Sequence, residues 1–351
     1  KTVVTGDYTL AARLDAVDML TDVTPSPSTG AETAHAGLKN GKDVVLVNIE
    51  TDVTVGRALK SLAREHGALY SVSSGDEPGC LMELWDFVKT LGYEPVVIGK
   101  GKNNPLQPDA TPDTVRESAE RDDKDPHQVA SYVDGTKTMF EMCCAANATG
   151  CLPMRRGMVG PEANLDTVSQ VFALKVDGGI TTAPYSVDFV QGKDMAGGVF
   201  ITVRIQDERI RKDLHYLKVG QSSYFTFFRP YHLWFLEAPL SFARAHLYRQ
   251  TTLVPLDEPV ADVMTVAKRT LSPGELLDDF GGFTFRGIID RAAEAQSSGA
   301  LPVGLAPGAR MKRKVWKGKL ITYEDVELDE SSTLVQLRRL QDELPGDGHG
   351  R

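Results

Sequence analysis

The sequence predicts an α/β protein, built on part of a doubly wound parallel sheet and followed by an α+β region. Two observations predict it. Strand and helix signals alternate from about Ala16 to Lys102, and from about Gly157 short β-branched and aromatic runs dominate, separated by Gly, Asp and Asn. With 351 residues the chain has room for two or three domains, and its 41% hydrophobic and 25% charged residues suit a globular protein with a sizeable core.

The first element is AVDMLTDVT (Ala16 to Thr24), a strand that breaks at Pro25 and Pro27. Ser28 or Thr29 then caps a helix running to about Asn40, where Gly41 stops it. KDVVLVNIE (Lys42 to Glu50) is a continuous buried strand of the parallel-sheet kind. VGRALKSLAREHG is an amphipathic helix ending at Gly67; ALYSVSSG is a short strand, CLMELWDFVKTLG a helix and YEPVVIGKG a further strand of the same alternation. Downstream, QVFALKV, GGVFITVRI and SSYFTFF read as strands of a mostly antiparallel sheet with helices on one face. SSYFTFFRPYHL passes into the helix LWFLEAPLSFARAHLYRQ, which Pro239 kinks or breaks. The last residues, LPGDGHGR, read as a disordered tail.

A net charge of −9 argues against a surface devoted to nucleic acid or anionic lipid, because the mean field repels both. Cys80, Cys143, Cys144 and Cys151 contain no CxxC pair, so neither a disulfide framework nor a zinc site is favoured; they read as reduced core residues of a cytoplasmic protein. No apolar run approaches the roughly 20 residues of a membrane span. Only local basic patches remain open as sites for nucleic acid or anionic lipid.

Doubly wound sheets bind dinucleotides where the first strand leads through G-x-G-x-x-G into a helix, because the glycines admit the pyrophosphate to the helix N-terminus. That motif is absent from the sequence, and GKDVVLVN is the strand that would come well after it. The expectation is a chain that is the back portion of a longer protein, cut inside its nucleotide-binding domain. A natural domain that never bound a nucleotide is the alternative.

SYVDGTKTMFEMCCAANATG (Ser131 to Gly150) reads as one helix rich in Ala, Cys, Met and Phe, with Asp134, Lys137 and Glu141 stacked on one face by their three- and four-residue spacing. Hydride transfer to a carbonyl needs a cation or acid to stabilise and protonate the growing alkoxide, and a buried lysine serves. Lys137 suits that role, with Asp134 and Glu141 orienting it or polarising a water. A structural ion pair is the alternative.

VWKGKLITYEDVEL together with AKRTLSPGELL resembles the SAF domain, a small β-rich module with a recurring K-G-x-x-I-T-x-E-D turn, found also in sugar-acid dehydratases and sialic acid synthases. GKDVVLVNIETDVTVG, YSVSSGDEPGCLMELWDFVKTLG, IGKGKNN, TPDTV, VDGTKTMFEMCCAANATG and FRPYHLWFLEAPLS resemble the homoserine-dehydrogenase-like oxidoreductases with a SAF tail. One branch of these is the DXR-like (DRL) enzymes, which use NADPH to convert deoxyxylulose phosphate to methylerythritol phosphate.

The resemblance implies residues 1–130 as the C-terminal part of a Rossmann nucleotide-binding domain, 131–257 as an α+β catalytic and oligomerisation domain, 258–330 as a SAF domain without the redox chemistry, and 331–351 as a tail. It implies an NAD(P)-dependent oxidoreductase acting on a small polyol, sugar or sugar phosphate, assembled as a homodimer or higher homo-oligomer. Homoserine dehydrogenases carry an Asp followed by a Lys on the helix leaving the nucleotide domain, and DGTK places Asp134 and Lys137 there. They also carry an A-N-K stretch, whereas here Asn48 is followed by Ile49 and Glu50, which puts homoserine in doubt and agrees better with the DRL branch. Thr24, Pro25, Asn48 and Glu50 are the candidate cofactor contacts. A non-redox sugar-acid lyase or binding protein is the alternative that the SAF tail leaves open.

Other polar residues are candidates for the substrate. Asp76 and Glu77 follow a strand end, where ligands meet an open α/β sheet, and would bind hydroxyls or a divalent metal, or form a solvated turn. Lys100 and Lys102 lie on a glycine-rich loop after a strand, suited to a phosphate or carboxylate, or an exposed basic loop. Arg229 is placed to clamp an anion bidentately; His232 beside it is a second candidate or a satisfied core histidine. The run Arg310, Lys312, Arg313, Lys314 reads as a solvated face.

Overall fold

The computed structural model describes residues 4–218 and 222–345. After a short helix α1 (Tyr8–Arg13), parallel strands alternate with helices: β1 (Met19–Asp22), α2 (Pro27–Lys39), β2 (Asp43–Leu46), α3 (Ile49–Glu65) and β3 (Tyr70–Val72). The strands lie in the order β1-β2-β3, with Leu20 opposite Val44 and Val45 opposite Ser71. Helix α2 is capped by Ser26, not by Ser28 or Thr29: its hydroxyl accepts from the Thr29 amide, and Pro27 has no N–H to satisfy. The strand expected over Lys42 to Glu50 stops at Leu46. Asn48 accepts from the Thr51 amide and starts α3, so Ile49 and Glu50 are helical; an N-cap inside an apolar run overrides its β propensity.

After α4 (Glu77–Thr90) the next strand, β4 (Glu94–Lys102), leaves the parallel sheet. It forms the middle of a second sheet, β5-β6-β4-β7-β8, with β5 (Leu152–Pro153), β6 (Ser186–Gln191), β7 (Val199–Arg204) and β8 (Tyr224–Arg229). β5, β6 and β4 run parallel, and β7 and β8 antiparallel, so this sheet is mixed rather than mostly antiparallel. A boundary at residue 130 would separate β4 from both of its partners. QVFALKV is not a strand: Val168–Val171 make the short helix α8, and Phe172 turns under the sheet to stack on Phe200, ring centroids 5.4 Å apart.

Helices α5 (Pro112–Arg121) and α6 (Pro126–Val133) precede the central helix α7 (Thr136–Thr149). The single helix expected over Ser131 to Gly150 is thus two, broken at Asp134 and at Gly135, whose φ of +91° only glycine adopts without strain. α7 packs against α3, α4, the second sheet and the hairpin of β9 (Ala261–Ala267) and β10 (Phe285–Arg291), which is why most of its residues are buried. After α9 (Glu208–Tyr216), helix α10 (Trp234–Tyr248) runs unbroken through Pro239 and lays Ala245 on Val45 and Leu69 of the parallel-sheet region.

The C-terminal part adds α11 (Ala292–Ser297), β11 (Arg310–Met311), β12 (Val326–Glu327) and α12 (Thr333–Glu343). Residues 333–343 are therefore a packed helix rather than a tail. Buried Arg338 donates to Asp262 Oδ2 at 2.6 Å, and Gln341 accepts from the Arg57 and Ala58 amides of α3. Of the disordered end expected at LPGDGHGR, residues 346–351 lie outside the described residues, as do residues 1–3. Among the described residues no helix is long and apolar enough to cross a membrane.

Candidate active site

The C-terminal ends of β1 and β2, the N-termini of α4 and α7, and one face of β4 surround a cavity of about 840 Å³. Thr24, Pro25, Asn48 and Glu50 line it from the region of the parallel sheet; Asp76, Glu77, Lys100, Lys102, Lys137, Glu141 and His232 line it as well. These candidates, spread over two hundred residues of sequence, meet in one place. Asp134 and Arg229 do not line it.

Strand β4 shows how the local sequence does this. In Gly99-Lys100-Gly101-Lys102 the side chains alternate between faces, so both lysines share one face and both glycines the other. A Cβ on Gly101 would sit 1.7 Å from Met195 O and one on Gly99 2.3 Å from Asp188 O, so the back of the strand admits no side chain. Close packing behind therefore fixes where the lysines project.

Lys100 is buried between two acids, donating to Glu77 Oε1 at 2.5 Å and to Glu141 Oε2. Burial opposes its charge, but the two carboxylates win and hold its pKa above the ordinary lysine value. Lys137 sits on Glu50 Oε1 at 3.0 Å, with Asp76 Oδ2 at 3.9 Å, and is likewise held strongly in its charged form against burial. Lys102 is different. It donates to the Tyr132 carbonyl at 2.5 Å, pairs with no carboxylate among the described residues, and burial together with the Lys100 charge lowers it to about 8. Among these lysines it is the one with charge to offer a ligand.

The acids share their protons unequally. Burial pushes Asp76 well above the carboxylate range, with Glu77 and Glu141 adding to it against Lys137. Burial and the Glu77 charge push Glu141 up to about 7, Lys100 opposing. Glu77 is held below the ordinary value because Lys100, a hydrogen bond from Asp76 and His232 outweigh its burial. Glu141 is thus poised to take or give a proton near neutrality.

His232 Nδ1 meets the Gly197 carbonyl at 2.8 Å and so carries the proton when the ring is neutral, leaving the Nε2 lone pair toward Glu77 Oε1 at 3.6 Å. One ligand atom each from Asp76, Glu77 and His232 lies within 4.8 Å of the others. Two carboxylates and an imidazole whose lone pair faces an anion form a donor set that fits a divalent cation.

Several expectations are corrected. Asp134 does not join Lys137 and Glu141, because the chain breaks between α6 and α7. Its Oδ2 lies 2.7 Å from Lys268 Nζ, and its Oδ1 accepts from the Thr136 amide that opens α7. Lys268 also donates to the carbonyls of Ala110 and Gly282, which makes the pair a buried structural tie. Arg229 clamps no free anion: it donates to both oxygens of Glu237 and to Glu83 Oε2, joining β8, α10 and α4. Asn48 lines the cavity, but its side chain is committed to Asp22, Ser26 O and the Thr51 amide. The four cysteines are buried and free, and Arg310, Lys312, Arg313 and Lys314 are exposed. His127, Gln128 and Ser131 of α6, Trp234, and Asp279 with Phe280 also line the wall and carried no signal in the sequence beyond ordinary helix and loop residues.

Residues 75–238 match the family model of the oxidoreductase DRL catalytic domain, a segment holding Asp76, Glu77, Lys100, Lys102, Lys137, Glu141 and His232. No curated protein matches the chain. Among solved structures, a 1-deoxy-D-xylulose 5-phosphate reductoisomerase from Zymomonas mobilis in complex with NADPH is 18% identical, with 40% of this chain and 36% of that chain covered and a TM-score of 0.28. A probable dehydrogenase from Thermotoga maritima is 13% identical over 70% of this chain and 74% of that one, with a TM-score of 0.36. An NAD binding oxidoreductase from Klebsiella pneumoniae is 18% identical over 30% and 29%, with a TM-score of 0.24. The chain thus spans about a third of the length of the reductoisomerase, and these TM-scores are too low to argue from. The family match is to an oxidoreductase, not to a lyase or a binding module. Residues 75–238 of this chain are thus similar to an oxidoreductase DRL catalytic domain.

Proposed function

We propose that this chain belongs to an NAD(P)-dependent oxidoreductase whose substrate is a small polyol, sugar or sugar phosphate, with a reaction like that of 1-deoxy-D-xylulose 5-phosphate reductoisomerase. One observation carries the reading: Lys100, Lys102 and Lys137 converge with Glu50, Asp76, Glu77 and Glu141 in a single cavity at the carboxyl ends of β1 and β2, where open α/β sheets receive ligands. Bound there, a nicotinamide supplies or accepts the hydride. Thr24, Pro25 and the backbone around Asn48 form the wall on that side. Lys137, kept charged by Glu50, stabilises the alkoxide that forms when a carbonyl is reduced. Glu141, near neutrality in its titration, exchanges the proton with that oxygen directly or through a water. Lys102 takes the substrate's anionic group. Asp76, Glu77 and His232 would hold a divalent cation, which polarises a carbonyl or hydroxyl oxygen.

The test follows nicotinamide absorbance in the full-length gene product with 1-deoxy-D-xylulose 5-phosphate and a panel of sugar phosphates and polyols, with magnesium or manganese and with chelator. Turnover of a member of the panel that chelator abolishes supports the reading and its metal. No oxidation or reduction of either nicotinamide with any of them defeats it.

A further inference from the structure

We infer that Asp279 and Phe280, in the loop between β9 and β10, are specificity-determining residues of this cavity: Phe280 takes the C–H face of a polyhydroxylated substrate and Asp279 accepts its hydroxyls. The inference rests on the proposed function and adds to it residues that lie outside the matched catalytic segment.

Both residues line the cavity although their loop belongs to the C-terminal part of the chain. Phe280 is half-buried and stands edge-on to Phe140 of α7, ring centroids 5.3 Å apart, with Phe285 behind it at 6.1 Å. Phe140 lines the same cavity, so the two rings make an apolar strip beside the charged side chains of the wall. Asp279 is exposed. Its Oδ1 accepts from the Phe280 amide at 2.7 Å, and Oδ2 has no hydrogen-bond partner among the described residues. A carboxylate with one oxygen fixed and one free beside an aromatic edge suits the two sides of a sugar chain, hydroxyls and C–H groups.

The loop is preorganised. Asp278 accepts from the amides of Phe283 and Thr284 and from the Thr284 hydroxyl. Lys268 holds the Gly282 carbonyl at 2.8 Å. Gly281, at φ +68°, comes so close to α6 that a Cβ would lie 1.9 Å from His127 O, so the loop is seated on the helix that supplies the neighbouring wall. Contacts held this firmly discriminate between substrates without an ordering cost on binding.

The experiment compares Asp279→Ala, Phe280→Leu and the control Trp316→Ala in the full-length gene product, with NADPH and 1-deoxy-D-xylulose 5-phosphate or whichever panel member is turned over best, alongside analogues each lacking one hydroxyl. Trp316 is exposed in the same C-terminal part and lines no part of the cavity. The expected result is a substrate KM raised about tenfold in both variants, kcat and the cofactor KM unchanged, and, in Asp279→Ala, lost preference over one deoxy analogue. Unaltered KM and preference overturn the inference alone, as does a parallel fall of kcat and cofactor affinity. A wild-type protein that turns over no member of the panel overturns the proposed function and the inference with it. Should Phe280→Leu fail to fold, Asp279→Ala at an exposed position decides.

Discussion

Lys100 and Glu141 form a buried ion pair in which the lysine is shared with Glu77, so one ammonium stands between acids from two helices, α4 and α7. This arrangement ties the second sheet to both helices and sets the charge of the cavity floor. Removing the lysine leaves two buried carboxylates facing each other, a loss that costs about 3–5 kcal/mol where a buried pair is broken.

Lys100→Met should therefore lower stability by about that amount, measured by urea unfolding at neutral pH, and Lys100→Met with Glu141→Gln should recover a large part of it. A double variant no more stable than the single one would show that the charges are not the cause.

Lys137→Met is expected to leave the protein folded and cofactor-competent while cutting turnover by a factor on the order of 100 or more, the scale of a lost alkoxide-stabilising group. The side chain is partly exposed to the cavity and its partner Glu50 reaches the same space, so water can take the place of the ammonium. Circular dichroism and cofactor titration establish the fold; unchanged turnover would return Lys137 to a structural role.

Asp134→Asn should act on stability rather than chemistry. It leaves Lys268 buried with two carbonyls and no counter-charge, for a loss of about 3 kcal/mol or more, while kcat per folded molecule stays within a factor of about three because neither residue lines the cavity. A large fall in kcat without loss of stability would reinstate Asp134 in the reaction.

The pH profile separates Lys102 from the other lysines. Its pKa is lowered to about 8, so the amine is charged below that pH and neutral above it. If it receives the substrate's anionic group, kcat/KM falls about tenfold per unit above pH 8. Lys102→Arg, charged throughout, should remove that decline, and a profile identical in both proteins would show that Lys102 does not set it.

How far the sequence alone reaches can be judged from particular residues. The strand–helix alternation up to β3 announced the parallel sheet, because period and punctuation are local properties, whereas Lys100 and Lys102 read as a glycine-rich loop and proved to be the end of β4. Lys137 and Glu141 were legible by helical spacing on α7. Asp134 was not, because Gly135 ends one helix and lets another begin, and only the fold shows that Asp134 turns to Lys268, far away in sequence. For the same reason β4 read as another strand of the first sheet: a strand carries its own hydrophobic pattern but not the identity of its neighbours, and pairing with β6 and β7 is decided by contacts between residues far apart in sequence, such as Val97 with Ser186 and Glu94 with Arg204. The helix of residues 333–343 and the wall residues Asp279 and Phe280 were invisible for a related reason. Their burial and position come from surfaces that α2, α3 and α6 present only once folded. The residue types and their local spacing were thus fixed by the sequence itself, whereas the partner of each charge was decided by tertiary packing, since a buried ion must be matched by whatever group the fold brings within reach.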